Sequence, residues 1–83
     1  MISERLTAVI LTQLGLDAWE LRDDTVASQV PGWDSLSHLG ILCAVEQAYQ
    51  VRFSTREALR LRNVGDLQAL VDLRLQASGG REA

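Results

Sequence analysis

The sequence Val30-Pro31-Gly32-Trp33-Asp34-Ser35-Leu36 places a turn directly before an amphipathic helix. Pro31 and Gly32 interrupt regular structure, and Asp34 is of a residue type that caps helix N-termini. Ser35 would then lie in the first turn of the helix, where unpaired backbone N–H groups and the positive end of the helix dipole favour a phosphate ester on its hydroxyl. The stretch therefore predicts a serine that is modified rather than catalytic.

Helical periodicity extends to both sides of this turn. A first helix is predicted at about residues 4–14, with Ser3 as its N-cap and Gly15 as its stop. A second helix is predicted at about residues 35–49. The connection between them, residues 16–34, is longer than most structureless loops in compact domains, so it requires anchors. The predicted anchors are Leu16, Trp19, Leu21, Val26 and Val30.

The second half of the chain predicts two more helices. Ser54 or Thr55 can cap a short third helix that ends at Leu59 or Leu61, and Asn63 can cap a last helix. The apolar positions of the last helix are Val64, Leu67, Leu70 and Val71, with Leu75 as a further candidate. The apolar positions of the longer helices recur at helical spacing, which predicts one common core. The residues predicted to be buried together are Leu6, Ile10, Leu14, Leu42, Val45, Tyr49, Leu67 and Leu70.

The size of the chain predicts one small domain. Its 83 residues can form a compact helical core but not a roomy enzyme cleft. We expect the domain to span residues 1–77. Residues 78–83 have nothing to bury, so we expect a flexible C-terminal tail.

The charge and the cysteine content restrict the partners and the compartment. The net charge of −3 disfavours nucleic-acid binding, and the longest apolar stretch is far shorter than the about 20 residues that span a bilayer. Cys43 is the only cysteine, so no intramolecular disulfide can form, and the reducing cytoplasm is the expected compartment. We also expect a monomer. The basic residues near the short third helix are Arg52, Arg56, Arg60 and Arg62.

The Asp34-Ser35-Leu36 core, with a helix before it and an apolar helix after it, resembles the acyl carrier proteins. Three residues alone would recur by chance, but the resemblance extends without a gap over roughly residues 6–75. Downstream, the features that match the family are Tyr49, Phe53, Glu57-Ala58 and Asn63-Val64-Gly65-Asp66-Leu67.

The resemblance implies an all-α fold, a small four-helix carrier bundle with three main helices and a short third helix. It implies that the long loop delivers Ser35, which receives 4′-phosphopantetheine from coenzyme A through a separate phosphopantetheinyl transferase. Asp34 would assist that transfer and its magnesium ion. The arm would then carry an acyl group as a thioester between enzymes such as a ketosynthase or an acyltransferase, while the chain itself would not be an enzyme.

The predicted partner surface lies mainly on the second helix. Leu36, Leu39 and Cys43 form an apolar stripe beside Ser35, with Glu46 and Arg56 as charged contacts. The family usually places several carboxylates along this helix, whereas here Glu46 is the only acid. This difference favours a dedicated partner over general fatty-acid synthase partners. The residues at positions that are commonly acidic or polar in the family are Ser37, Gly40, Gln47 and Ala48.

Several alternatives stay open at this point. His38 is either a solvated surface residue or, when protonated, faces a phosphodiester on Ser35, and Cys43 either faces partners or fills the core. A Ser–His hydrolase is disfavoured because no nucleophile elbow accompanies Ser35, and one His and one Cys are too few for a zinc site.

Alternatives also remain for the function. The Gly-Trp-Asp-Ser-Leu form looks closer to discrete acyl carriers of polyketide or related specialised pathways than to peptidyl carriers. A peptidyl or aminoacyl carrier and an unmodified helical interaction module are the alternatives.

Overall fold

The structure, a computed structural model, describes the backbone of residues 2–82 and the side chains of residues 2–76. Within that part the chain forms four α-helices and no strand, which confirms the predicted all-α fold. The helices are α1 (Glu4–Leu14), α2 (Ser35–Tyr49), α3 (Thr55–Leu59) and α4 (Val64–Glu82), with a short 3₁₀ helix (Ala27–Gln29) in the loop before α2.

The helices begin and end at the predicted local signals. Ser3 caps α1 through its side chain, and Gly15 ends that helix with a φ of 72° that glycine adopts without strain. Ser54 and Glu57 form a reciprocal capping box at the start of α3. The Asn63 side chain accepts the Asp66 N–H at 2.8 Å at the start of α4. Local side-chain chemistry thus sets the starts of these helices.

One aliphatic core joins the three long helices and the long loop. The prediction is confirmed for Leu6, Ile10, Leu42, Val45 and Leu67, all buried, whereas Leu14, Tyr49 and Leu70 are only half-buried. The loop anchor Val30 and the apolar α4 residues Val64 and Val71 are also buried, at most 4% exposed. Ile41, which is fully buried, was not predicted, because helix α2 is apolar on more than one face.

Helix α1 is tied to α2 and α4 by polar contacts at the rim of the core. The Arg5 guanidinium donates to the Ala48 carbonyl and lies 4.5 Å from the centroid of the Tyr49 ring. This cation–π contact stabilises the half-buried Tyr49 ring at the rim of the core. The Ser3 N–H donates to the Gln68 side-chain oxygen at 2.8 Å, which joins the start of α1 to α4.

The loop of residues 16–34 is held by the first turn of α4. The Val64 N–H donates to the Thr25 carbonyl at 2.8 Å, and the Gly65 N–H donates to the Asp23 carbonyl at 2.9 Å. The N-terminal amides of a helix have no partner within the helix, so the loop supplies their acceptors. The buried or half-buried loop side chains are Leu16, Leu21, Thr25, Val26, Ala27, Val30 and Trp33.

Two predicted apolar positions are wrong. The Trp19 side chain is 42% exposed and does not anchor the loop, because backbone hydrogen bonds to α4 and the neighbouring aliphatic residues hold it instead. Leu75, considered as a continuation of the apolar face of α4, is 37% exposed.

The C-terminal prediction lies largely beyond the described side chains. Helix α4 is described as far as Glu82, and the flexibility predicted for residues 78–83 stays a prediction. None of the helices within residues 2–82 is long and apolar enough to cross a membrane.

Replacing Gly65 with alanine is expected to destabilise the domain by about 1–3 kcal/mol, a typical cost of overpacking. A Cβ atom at Gly65 would lie 2.5 Å from the Asp23 carbonyl oxygen, so the loop would have to move away from α4. Gly40→Ala is the matched control, since its Cβ would meet only the flexible side chain of Gln13, at 3.0 Å. Thermal unfolding of both variants tests this, and equal melting temperatures would contradict the proposed lock between loop and helix.

Candidate functional site

The chain enters α2 through a tight turn. The Trp33 N–H donates to the Val30 carbonyl at 3.2 Å, with Pro31 and Gly32 between them. Gly32 has a φ of 82°, and proline followed by a positive-φ glycine is the arrangement of a type II turn. Val30 is buried at one end of the turn, so the turn fixes where α2 begins relative to the core.

Asp34 caps α2, as the sequence predicted. Its Oδ1 accepts the Ser37 N–H at 2.8 Å, and its backbone carbonyl accepts the His38 N–H at 2.8 Å. The hydrogen bond from the Ser37 N–H favours the ionised carboxylate and lowers the pKa of Asp34 below its ordinary value. Ser35 is therefore the first residue of the helix, and it is exposed to solvent.

The stripe that follows Ser35 is exposed and apolar. Leu36 is 80% exposed and Leu39 is 61% exposed, and the Cys43 thiol lies on the surface as well. The alternative in which Cys43 fills the core is therefore wrong. Exposure of two leucines on one helix face is an arrangement that favours contact with another protein.

The two predicted charged contacts differ in their surroundings. Glu46 is half-buried, and its Oε2 accepts the Phe53 N–H at 2.7 Å, so its carboxylate already has a partner within the fold. Arg56 is exposed on α3, outside the stripe. The only acid of α2 thus has a structural task that the sequence pattern did not reveal.

Trp33 and His38 form a hydrogen-bonded pair beside the turn. The Trp33 indole N–H donates to Nδ1 of His38 at 3.1 Å, and the ring centroids are 6.1 Å apart in a stacked arrangement. His38 is half-buried, so the prediction of a simply solvated histidine is wrong. Because Nδ1 accepts this hydrogen bond, the Nδ1 side of the imidazole ring is engaged within the fold.

This pair lines a small pocket of about 40 Å³ between the loop, α2 and the start of α4. The other walls include Ala27, Leu61 and Leu67. Sequence reasoning missed the pairing because a spacing of five residues across a helix start is not a helical periodicity. The pairing of Glu46 with the Phe53 amide was missed for the same kind of reason, since it crosses the end of α2.

The residues at the start of α2 fit a phosphate ester on Ser35. The hydroxyl is on an exposed residue at the N-terminal end of a long helix, where the dipole favours negative charge. Asp34 stays ionised beside it without needing Ser35 as a donor, because the Ser37 N–H satisfies its Oδ1. Among the described residues, no group of three His, Cys, Asp or Glu side chains could hold a metal ion.

Comparisons with known proteins find acyl carrier proteins as relatives of this chain. The chain is 34% identical over 67 residues to the acyl carrier protein of Onion yellows phytoplasma (strain OY-M), covering 81% of this chain and 88% of that protein. It is 30% identical over 67 residues to the acyl carrier protein of Clostridium acetobutylicum, covering 81% of this chain and 87% of that one. No protein-family model matches the chain.

The fold is shared with a solved structure as well. The solution NMR structure of holo acyl carrier protein from Geobacter metallireducens superimposes with a TM-score of 0.85 at 35% identity, covering 90% of this chain and 86% of that one. The fold and the exposed serine at a helix start thus define a small helical carrier. The chain belongs to the acyl carrier protein family.

Proposed function

We propose that this chain carries acyl intermediates as thioesters on a 4′-phosphopantetheine arm attached to Ser35. The observation that supports this most directly is the position of Ser35, exposed at the first residue of α2 and preceded by the Asp34 cap. A holo acyl carrier protein is also among the similar structures. When bound, the arm would supply the thiol that holds the acyl group, so the chain needs no activated nucleophile of its own.

The residues around Ser35 would present the serine rather than react with it. The type II turn and the Asp34 cap fix the start of α2, so a transferase meets the hydroxyl in one orientation. His38, the one histidine near Ser35, uses Nδ1 to accept the Trp33 indole N–H. These arrangements support a carrier that catalyses no reaction itself and depends on phosphopantetheinyl transferase, acyl-loading and acyl-processing enzymes.

We further propose that the chain is a discrete cytoplasmic monomer of a polyketide or related specialised pathway. The support is the charge of α2, where Glu46 is the only carboxylate and already accepts the Phe53 N–H. A helix with so little available negative charge is poorly suited to the basic surfaces that recognise acidic carriers.

The carrier function is tested by loading. After incubation with coenzyme A and a broad-specificity phosphopantetheinyl transferase, intact-mass spectrometry is expected to show complete conversion to one holo species. That species should then accept an acyl group from an acyltransferase or ketosynthase of a polyketide system. No conversion by several such transferases would favour an unmodified helical interaction module.

Docking to a partner enzyme is expected to depend on Leu39 more than on Glu46. Leu39 presents an exposed apolar surface, whereas the Glu46 carboxylate is already bonded within the fold. Binding should therefore persist as salt shortens the Debye length to about 8 Å and below. The measurement is the Kd for the modifying transferase across a salt series, for the parent, Leu39→Ala and Glu46→Gln.

Glu46→Gln is the matched charge variant, because glutamine keeps a side-chain oxygen that can accept the Phe53 N–H. We expect it to bind nearly as the parent does, and Leu39→Ala to bind several-fold more weakly. A steep salt dependence, with Glu46→Gln the more damaging change, would instead indicate the acidic docking that is usual in the family.

A further inference from the structure

Helices α3 and α4 form an open groove that is separate from the Ser35 site. Its volume is about 660 Å³, and all of its lining residues lie between positions 57 and 73, so neither α2 nor the long loop contributes to it. The apolar part of its surface consists of Leu59, Leu61, Ala69, Leu70 and Leu73.

The leucines that line the groove are partly or largely exposed to solvent. Leu59 is 80% exposed and Leu73 is 55% exposed, and Leu61 and Leu70 between them are half-buried. Single exposed leucines are normal on a protein surface, but several that line one concavity mark an interaction site. The groove is thus an apolar surface that the described part of the fold does not cover.

The charges beside the groove favour an acidic occupant. Both of its carboxylates already have donors within the fold: Glu57 accepts the Ser54 N–H at 2.9 Å and pairs with Arg74, and Asp66 accepts the Arg62 N–H at 3.1 Å. By contrast, no hydrogen bond or ion pair of the Arg60 guanidinium is found within residues 2–76, and Arg60 lines the groove.

Two more arginines strengthen this positive character. Arg56 is exposed one turn before Arg60, and it likewise has no side-chain partner among the described residues. The Arg62 side chain is 84% exposed and pairs with Asp66 only at 3.5 Å, a surface ion pair of little strength. The side chains that are available to a partner are therefore leucines and guanidinium groups.

We propose that the α3–α4 groove binds an amphipathic helix of a partner protein that carries leucine-like side chains on one face and carboxylates beside them. A helix laid in a groove presents apolar residues at i, i+3, i+4 and i+7, which suits an elongated apolar surface between two helices. Carboxylates at its edge would meet Arg60 and Arg56, whose planar guanidinium groups bind carboxylates through two parallel hydrogen bonds.

Binding in the α3–α4 groove would allow the carrier to contact two proteins at once. A partner held in the groove leaves Ser35 and the stripe of Leu36, Leu39 and Cys43 accessible, so one protein can hold the carrier while another acts on its cargo. Such an attachment raises the effective concentration of the carrier near its enzymes. It does not depend on modification of Ser35, and it is testable on the unmodified chain.

The test uses the full chain with a synthetic helical peptide that has leucines at i, i+3, i+4 and i+7 flanked by glutamates. The controls are a scrambled peptide of the same composition and a peptide with lysines in place of the glutamates. NMR titration is expected to shift the amide signals of residues 57–73, and fluorescence anisotropy is expected to show binding of the first peptide only.

Variants of the chain locate the binding site. Arg60→Gln and Leu73→Ser are each expected to weaken peptide binding about fivefold or more, whereas Arg22→Gln and Leu39→Ala leave it unchanged. Circular dichroism with thermal unfolding checks that each variant is folded, and Leu73 is exposed enough for its replacement to be tolerated.

Several results would overturn the proposal. These are the absence of peptide binding, equal binding of the lysine peptide, and loss of binding in Leu39→Ala rather than in Leu73→Ser. A concentration-dependent dimer that Leu73→Ser abolishes would assign the groove to a second copy of the chain. Binding to phosphatidylglycerol vesicles that depends on Leu73 would assign it to a lipid surface.

Discussion

Replacing Ser35 with alanine is expected to abolish attachment of phosphopantetheine completely while leaving the fold intact. The Ser35 hydroxyl is the proposed acceptor, and alanine removes it. The structural effect should be small because Ser35 is exposed, alanine is the best helix former, and the Asp34 cap bonds to the Ser37 backbone rather than to Ser35. The intact mass after reaction with transferase and coenzyme A shows directly whether the variant has gained phosphopantetheine.

Ser37→Ala is the matched control for this experiment. Ser37 is a serine in the same helical turn, and its backbone N–H, which Asp34 accepts, is kept in the variant. We expect Ser37→Ala to be converted to the holo form and Ser35→Ala to stay at the unmodified mass. If Ser35→Ala is still modified, the attachment site lies at another residue.

The second large effect concerns the core beneath the site. Leu42→Ala is expected to reduce the free energy of unfolding by about 2–4 kcal/mol, because it removes a buried side chain and leaves a cavity. Leu42 is only 6% exposed and belongs to the cluster that joins α1, α2 and α4. Such a loss is a large share of the about 5–15 kcal/mol that holds a typical domain folded.

Leu39→Ala is the matched control, since Leu39 lies on the same helix, has the same side chain and is 61% exposed. We expect its effect on the free energy of unfolding to stay within about 0.5 kcal/mol, as is usual for surface positions. Chemical denaturation of both variants makes the comparison. Equal losses would mean that the orientation of α2 in the structure is wrong.

Helix α2, which contains both Leu39 and Leu42, also shows how far burial can be predicted from sequence alone. Both residues belong to an apolar pattern at helical spacing, and α2 carries leucine, isoleucine or valine on more than one side. The pattern predicted a helix with Leu42 on its buried face, which is confirmed, but it did not show how wide that buried face is. The packing of α1 and α4 decides this, and it buries Ile41, which the sequence reasoning had missed.

What the sequence determined by itself was local. The starts of α1, α2 and α3, with the exposed place of Ser35, follow from the cap side chains of Ser3, Asp34 and Ser54, which bond to backbone atoms three residues away. Such interactions depend on chain neighbours alone, and for that reason they can be read from the order of residues.

What only the tertiary structure decided involves groups that are distant in the chain or that lie across the end of a helix. The loop carbonyls of Asp23 and Thr25 accept amides from the start of α4, and Glu46 accepts the Phe53 N–H beyond the end of α2. The exposure of Trp19 and the groove between α3 and α4 likewise depend on how whole helices pack against one another. Hydrophobic spacing along one helix carries no information about the neighbours of that helix, so the sequence pattern could not predict these features.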